Sequence, residues 1–124
     1  MKTAKQKFLA SILKKGEVYA GIILGKDGDP DYHLILLASE AVWVSWETAQ
    51  CFASTAGGEL PTRREQSLLF TNLKEEFQGD QHWSSEQHAY YSDSAWCQNL
   101  YGGSQYGITK HTLIRARAVR RLVI

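Results

Sequence analysis

A proline followed at once by a capping box constrains this chain more than any other feature. Leu60-Pro61 is extended, because the proline ring disfavours helical angles at the residue before it, and Thr62 then stands at a helix N-cap. Thr62 and Glu65 fit the reciprocal arrangement in which the threonine oxygen accepts from the Glu65 amide and the glutamate reaches back to the Thr62 amide. Beyond the cap, Leu69, Leu73 and Phe77 recur every four residues beside Gln66 and Phe70, an apolar stripe along one helical face. Arg63, Arg64, Asn72, Lys74, Glu75 and Glu76 fill the polar side, and Gly79 is the expected stop. His82-Trp83-Ser84-Ser85-Glu86 has no helical period and reads as a strand with Trp83 buried.

The 124 residues make one domain, large enough to bury roughly two thirds of its unfolded surface. Fourteen basic and thirteen acidic residues leave a net charge of +1, so nothing in the balance pulls toward nucleic acid or a membrane. The apolar run 8–13 is closed by Lys14-Lys15, too short for a secretory core, and no segment approaches the roughly 18 apolar residues of a membrane span. The expectation is a cytoplasmic product, or a virion component exported without a cleaved signal. Cys51 and Cys97 form no CxxC motif and are expected to be two buried free thiols.

Along the chain, Ala4, Phe8, Leu9, Ile12 and Leu13 share one face of an N-terminal helix ended by Gly16, with lysines away from it; packing on the domain is expected, membrane or partner binding being the alternative. Residues 17–24 and 32–38 read as strands joined by the hairpin loop GKDGDPD, and residues 41–44 as a third. Asp27, Asp29 and Asp31 imitate the start of an EF-hand loop, but the required glycine and terminal carboxylate are replaced by Tyr32 and Ala38. Ser45 caps a second helix with Trp46, Ala49 and Ala53 inward and Gly57-Gly58 after it. Residues 89–93 and 95–100 then read as strands, residues 101–107 as a glycine-rich turn, and residues 110–122 as a last strand whose period of two sets Arg115 and Arg117 on one face. Strands, paired helices and strands again make an α+β domain.

SWETAQCFA, GGELPTRREQSLLF, HWSSEQ, AWCQNL, a glycine-rich turn and RARAVRRL occur here in one order. That order resembles the bacterial and phage domain of unknown function related to the C-terminal domain of the Legionella collagen-like adhesin, a family with a C-type-lectin-like fold. The resemblance covers residues 44–122, with residues 1–16 an added helix. The family's closing Val-Arg-x-Val-Arg strand reads Arg115-Ala116-Arg117-Ala118-Val119-Arg120 here. The resemblance implies two sequential helices on a mixed or antiparallel sheet and a phage or prophage origin. It implies little about activity, since that fold serves sugar binders, protein binders and oxidases alike. The Glu-Pro-Asn, Gln-Pro-Asp and Trp-Asn-Asp motifs of lectin calcium sites are missing, and the chain's prolines are Pro30 and Pro61, so calcium-dependent sugar binding is not expected.

No constellation obliges chemistry. His33, His82, His88 and His111 lack the spacing of zinc ligands and are expected at the surface or in loops, so no metal or cofactor is assigned. Glu65, Glu75 and Glu76 read as helix-surface carboxylates rather than an acid–base pair. The cysteines could lie close in this fold, but a structural thiol pair is expected rather than oxidase chemistry. Residues 84–107 are rich in Tyr, Ser, Gly, Asn and Trp, the composition of protein-recognition loops, and Tyr90, Tyr91, Tyr101 and Tyr106 are the candidate partner-binding residues. Arg115 and Arg117, with Lys110, His111, Arg120 and Arg121, form a basic run that either contacts phosphates or pairs with internal acids. Two functions stay open: a non-enzymatic module that binds a protein, and an accessory factor acting on host or nucleic-acid machinery through basic termini.

Overall fold

The computed structural model describes residues 1–124. Helix α1 (Ala4–Ile12) precedes the hairpin of β1 (Val18–Ile23) and β2 (Tyr32–Val44). Helices α2 (Trp46–Thr55) and α3 (Arg63–Leu73) follow, then β3 (Gln81–Gln87), β4 (Ser94–Asn99), β5 (Gln105–Thr109) and β6 (Ile114–Val123). The strands form one mixed sheet in the order β1-β2-β6-β3-β4-β5. Every neighbouring pair is antiparallel except β3 and β6, which meet in parallel at the single pair His82 and Arg115. The sheet is therefore two three-stranded lobes sharing one narrow seam, and the domain is α+β.

Two apolar clusters hold the helices to the sheet, the first spanning both lobes and the second on the β1-β2-β6 lobe. Ala49 and Ala53 of α2 pack with Leu37, Leu60, Trp83, Ala95, Cys97, Ile114, Ala116 and Ala118. Leu69 and Leu73 of α3 pack with Ala20, Ile23, Leu34, Leu36 and Val119. All three helices start at a side-chain cap: Thr3, Ser45 and Thr62, with full capping boxes at Thr3–Gln6 and Thr62–Glu65. Each such cap is worth about 1 kcal/mol.

Several sequence expectations change. The helix begun at Thr62 leaves α-geometry at Leu73 (φ −131°, ψ 28°), tightens into a 3₁₀ turn over Lys74–Glu76 and is extended at Phe77, well before Gly79. The break lets the Phe77 ring meet the His82 ring edge-on at 5.1 Å and lie under the Arg117 guanidinium at 5.2 Å, instead of continuing along α3. Residues 32–38 and 41–44 are one strand, with exposed Ser39-Glu40 where the register to β6 shifts. Residues 89–93 are loop, and β5 occupies part of the expected glycine-rich turn. The last strand starts at Ile114, since residues 110–112 turn. Helix α1 buries no residue completely; it is held where Arg120 donates to the Ile12 carbonyl at 2.6 Å and to both oxygens of Glu17 at 2.8 and 3.1 Å. Cys51 is exposed, Cys97 is buried, and they are unbonded. Burial pushes the Cys97 thiol up to about 11, which makes it a packing residue.

Two polar side chains placed at the surface by sequence lie inside. Glu65 is fully buried because its carboxylate has a second task beyond the cap: it accepts from Arg121 at 2.6 and 2.8 Å and from the Tyr32 hydroxyl at 2.6 Å. His82 is buried at the seam, its Nδ1 2.9 Å from the Asp80 carbonyl.

Candidate functional site

Strand β4 alternates: Ala95 and Cys97 enter the core, so Trp96 and Gln98 face the other way. Trp96 pairs in register with Gly107 of β5, and Gln98 with Gln105. Gly107 has no side chain, and that space is taken by the His88 ring; a Cβ there would come within 2.8 Å of His88 Cδ2. His88 stacks on Trp96 with centroids 4.9 Å apart and planes 17° apart. Its Nδ1 accepts from the Tyr90 and Tyr91 amides at 3.2 and 3.4 Å, which shapes the 88–93 loop around the ring. Tyr91 then packs on His88 at 5.1 Å and Tyr90 at 6.2 Å, while 65% and 88% of these two tyrosines stay exposed.

The first residue of α3 completes the cluster. The Arg63 guanidinium lies 3.6 Å over the Trp96 ring, within the range of a strong cation–π contact. Its Nε donates to Gln105 Oε1 at 3.2 Å, and its backbone amide to Glu86 Oε2 at 2.7 Å. Gln105 Nε2 is in turn fixed by the Arg63 carbonyl and Gln98 Oε1, both at 2.8 Å. Arg63 on α3 and Trp96 on β4 thus form one continuous aromatic and cationic surface with His88, Tyr90 and Tyr91 of the 88–93 loop. A cleft of about 350 Å³ lies beside the same loop, lined by Ser45, Trp46, Asp93, Lys110 and His111 among others. Lys110 lies 4.8 Å over Trp46 and donates to Gln87 and the Ser92 carbonyl, both at 2.6 Å.

The four candidate tyrosines are not one patch. Tyr90 and Tyr91 precede β4 and Tyr101 follows it, which separates them by roughly 17 Å, the length of a six-residue strand. Tyr101 is 73% exposed, lies against Gly79 and has Lys74 Nζ 5.5 Å from its ring. Tyr106 is half-buried on the α2 core, its hydroxyl bonded to Gln81 Nε2. Three of the four arginines of β6 are occupied internally, and Arg115 makes no side-chain hydrogen bond. Arg117 is buried and donates to the Leu37 and Glu76 carbonyls at 2.9 and 2.8 Å. Arg120 and Arg121 pair with Glu17 and with Glu59 and Glu65. Arg115 lies 3.9 Å from Asp80 and 5.6 Å over Trp43.

Sequence reasoning missed Arg63, His88 and Trp96 as a group. Trp96 was visible in the alternation of β4. Arg63 and His88 were not, because their approach depends on the packing of α3 across a strand hidden by its glycine. The interior offers no competing site: a cavity at the seam between Gln66, His82 and Arg117 holds about 10 Å³, room for one water. No group of three or more His, Cys, Asp or Glu side chains is placed to hold a metal ion. Comparison of the chain with protein-family models gives no match, and comparison with curated proteins gives none.

Proposed function

We propose that this domain is a non-enzymatic recognition module of C-type-lectin-like fold that binds a protein partner through the surface built by Arg63, His88, Tyr90, Tyr91 and Trp96. One observation carries the reading: two tyrosines that bury little of their area are nonetheless held in a defined loop by His88, beside a tryptophan already stacked with an arginine. Exposed rings cost solvation and fixed loops cost entropy. Trp, Tyr and Arg are also the side chains that dominate binding hot spots, where they lose little entropy on contact. The order of parts supports the finer fold: a tryptophan-led α2, a Leu-Pro-Thr start to α3, a Trp-Ser-Ser β3, an aromatic β4 and a closing arginine strand β6. A phage or prophage origin rests on that same resemblance.

The reading through basic termini has less behind it. A phosphate-binding run needs free cations, whereas Arg117, Arg120 and Arg121 donate to acids and carbonyls within the domain. The test uses a partner recovered from host-cell lysate and titrated against variants. Tyr91→Ala is expected to cost about 2 kcal/mol of binding and leave the melting temperature unchanged. Tyr106→Ala is expected to lower melting temperature and binding together. Normal binding by Tyr90→Ala and Tyr91→Ala, with loss on Arg115→Ala, would move the site to the β6 strand.

A further inference from the structure

The six arginines of this chain are treated unequally. Arg115 faces Asp80, Arg117 donates to two carbonyls, Arg120 pairs with Glu17, Arg121 with Glu59 and Glu65, and Arg64 donates to the Leu24 carbonyl at 2.7 Å. Arg63 differs from all of them. Its one side-chain bond is from Nε to the neutral Gln105, it forms no ion pair, and its two terminal nitrogens have no acceptor within the chain. Neither of those nitrogens is among the buried unpaired atoms, so both keep access to solvent. The guanidinium plane is nevertheless fixed, by Trp96 beneath at 3.6 Å and by the Gln105 bond at its root.

We infer that Arg63 is a preorganised fork for a carboxylate on the partner, so that the partner segment carries an Asp or Glu side chain next to an apolar residue packed on Tyr90 and Tyr91. The inference rests on the protein-binding reading of this surface. A planar guanidinium with two parallel free N–H edges matches a carboxylate in a bidentate pair. Stacking on Trp96 removes the rotamer entropy that otherwise weakens an exposed ion pair. The surroundings select a single acid rather than a polyanion. Glu86 accepts from the backbone amide of Arg63 itself, so a row of phosphates would meet like charge directly beside the fork.

The experiment selects a displayed random dodecapeptide library on the immobilised domain, then titrates the enriched peptides. Enrichment of Asp or Glu at one fixed position is expected. Changing that residue to Asn or Gln, or making Arg63→Lys, is expected to weaken binding about tenfold, the size of one charge-assisted hydrogen bond lost. The two changes together are expected to cost little more than either alone. Arg63→Lys keeps the charge and the backbone bond to Glu86, so its melt is the control for folding, and Arg63→Gln serves as the second variant. Peptides that bind, weaken on Tyr91→Ala, but show no acidic position and ignore Arg63→Lys overturn the fork and leave the protein-binding reading standing. Absence of any enriched peptide sensitive to Tyr90 or Tyr91, or displacement of the peptides by a 20-mer oligothymidylate at an order-of-magnitude lower concentration than a neutral polymer, overturns both.

Discussion

Glu65 shows how one residue can be read correctly and still be misplaced. Its spacing from Thr62 announces the capping box, and the box is there, at 2.9 and 3.1 Å. The pattern carries no sign of Arg121, which is 56 residues away, or of Tyr32 on β2, so a carboxylate that looks solvated from sequence is a buried ion pair. Burial pushes its acidity toward the neutral form, but the Arg121 guanidinium, the Tyr32 hydroxyl and the Thr62 amide outweigh that and hold it below the usual carboxylate range. The Tyr32 phenol, desolvated and facing the carboxylate, is pushed up to about 12. Thr62→Ala is expected to cost about 1 kcal/mol, and Glu65→Ala roughly 2 to 3 kcal/mol because Arg121 loses two charge-assisted bonds and keeps only the exposed Glu59; equal costs in urea denaturation would mean Glu65 is only a cap. His82 repeats the misplacement with the opposite electrostatic outcome, since burial makes it neutral. Burial first, and then the charges of Arg117 and Arg115, push it down to about 4 against the Asp80 carbonyl. The unfolded chain takes up this proton near pH 6.5 and the folded chain only near 4, so stability rises with pH across that window and falls as pH drops through it. The expected loss between pH 7 and pH 4 from this group is about 3 kcal/mol. His82→Gln should flatten that part of the profile, and an unchanged pH slope in the variant would remove His82 as the cause.

Elements were legible where local chemistry and packing agree. Caps placed α2 and α3 to the residue at their starts, and the apolar stripe gave Leu69 and Leu73 to the core. Ends were less legible: α3 stops at Leu73 because Phe77 packs better across His82 than along the helix, a decision made by tertiary contacts. Strand β5 was missed because Gly107 lowers the strand signal, and its glycine is there to admit His88. Strand β3 is legible because residues 82–86 lose the helical period around Trp83. That ring is fully buried, and its Nε1 donates to the Val44 carbonyl at 2.8 Å, so it fills the α2 core and also ties β3 to the end of β2. Trp83→Ala is expected to cost roughly 3 to 5 kcal/mol. Trp83→Phe restores most of the volume without the donor, and a variant of wild-type stability there would reduce the tryptophan to filler.

At the scale of the whole molecule the weak point is the seam. The two lobes share one parallel strand pair, so side chains supply what a backbone ladder supplies elsewhere. Gln66 donates to the His82 and Trp83 carbonyls at 3.2 and 3.1 Å, and Trp46 Nε1 to the Ser84 carbonyl at 2.8 Å. Arg117 sits beside these ties but bonds within its own lobe. From β6 it reaches the Leu37 carbonyl in β2 and the Glu76 carbonyl after α3, with Glu40 3.7 Å away, and burial holds its pKa below the ordinary arginine value despite that acid. A buried charge with two carbonyl acceptors is not available to a phosphate, which is why a run that looks basic in sequence is a structural rivet in space. Arg117→Ala leaves the buried Leu37 carbonyl without a donor, at about 1 to 3 kcal/mol, and frees the carbonyl of exposed Glu76 to water, so a loss of roughly 1 to 3 kcal/mol is expected. The loss should also be uneven. Native-state hydrogen exchange is expected to show the β2 and β6 amides around Leu37 and Arg117 losing protection while the β4–β5 pairing, which Arg117 does not touch, keeps it. Protection lost equally from all six strands would mean the lobes unfold as one unit and that Arg117 holds the whole core. Because Trp96 and His88 sit on the lobe that Arg117 does not touch and Arg63 reaches them from α3, the same variant should weaken partner binding only as the whole domain opens, and adding the isolated partner should restore protection by mass action.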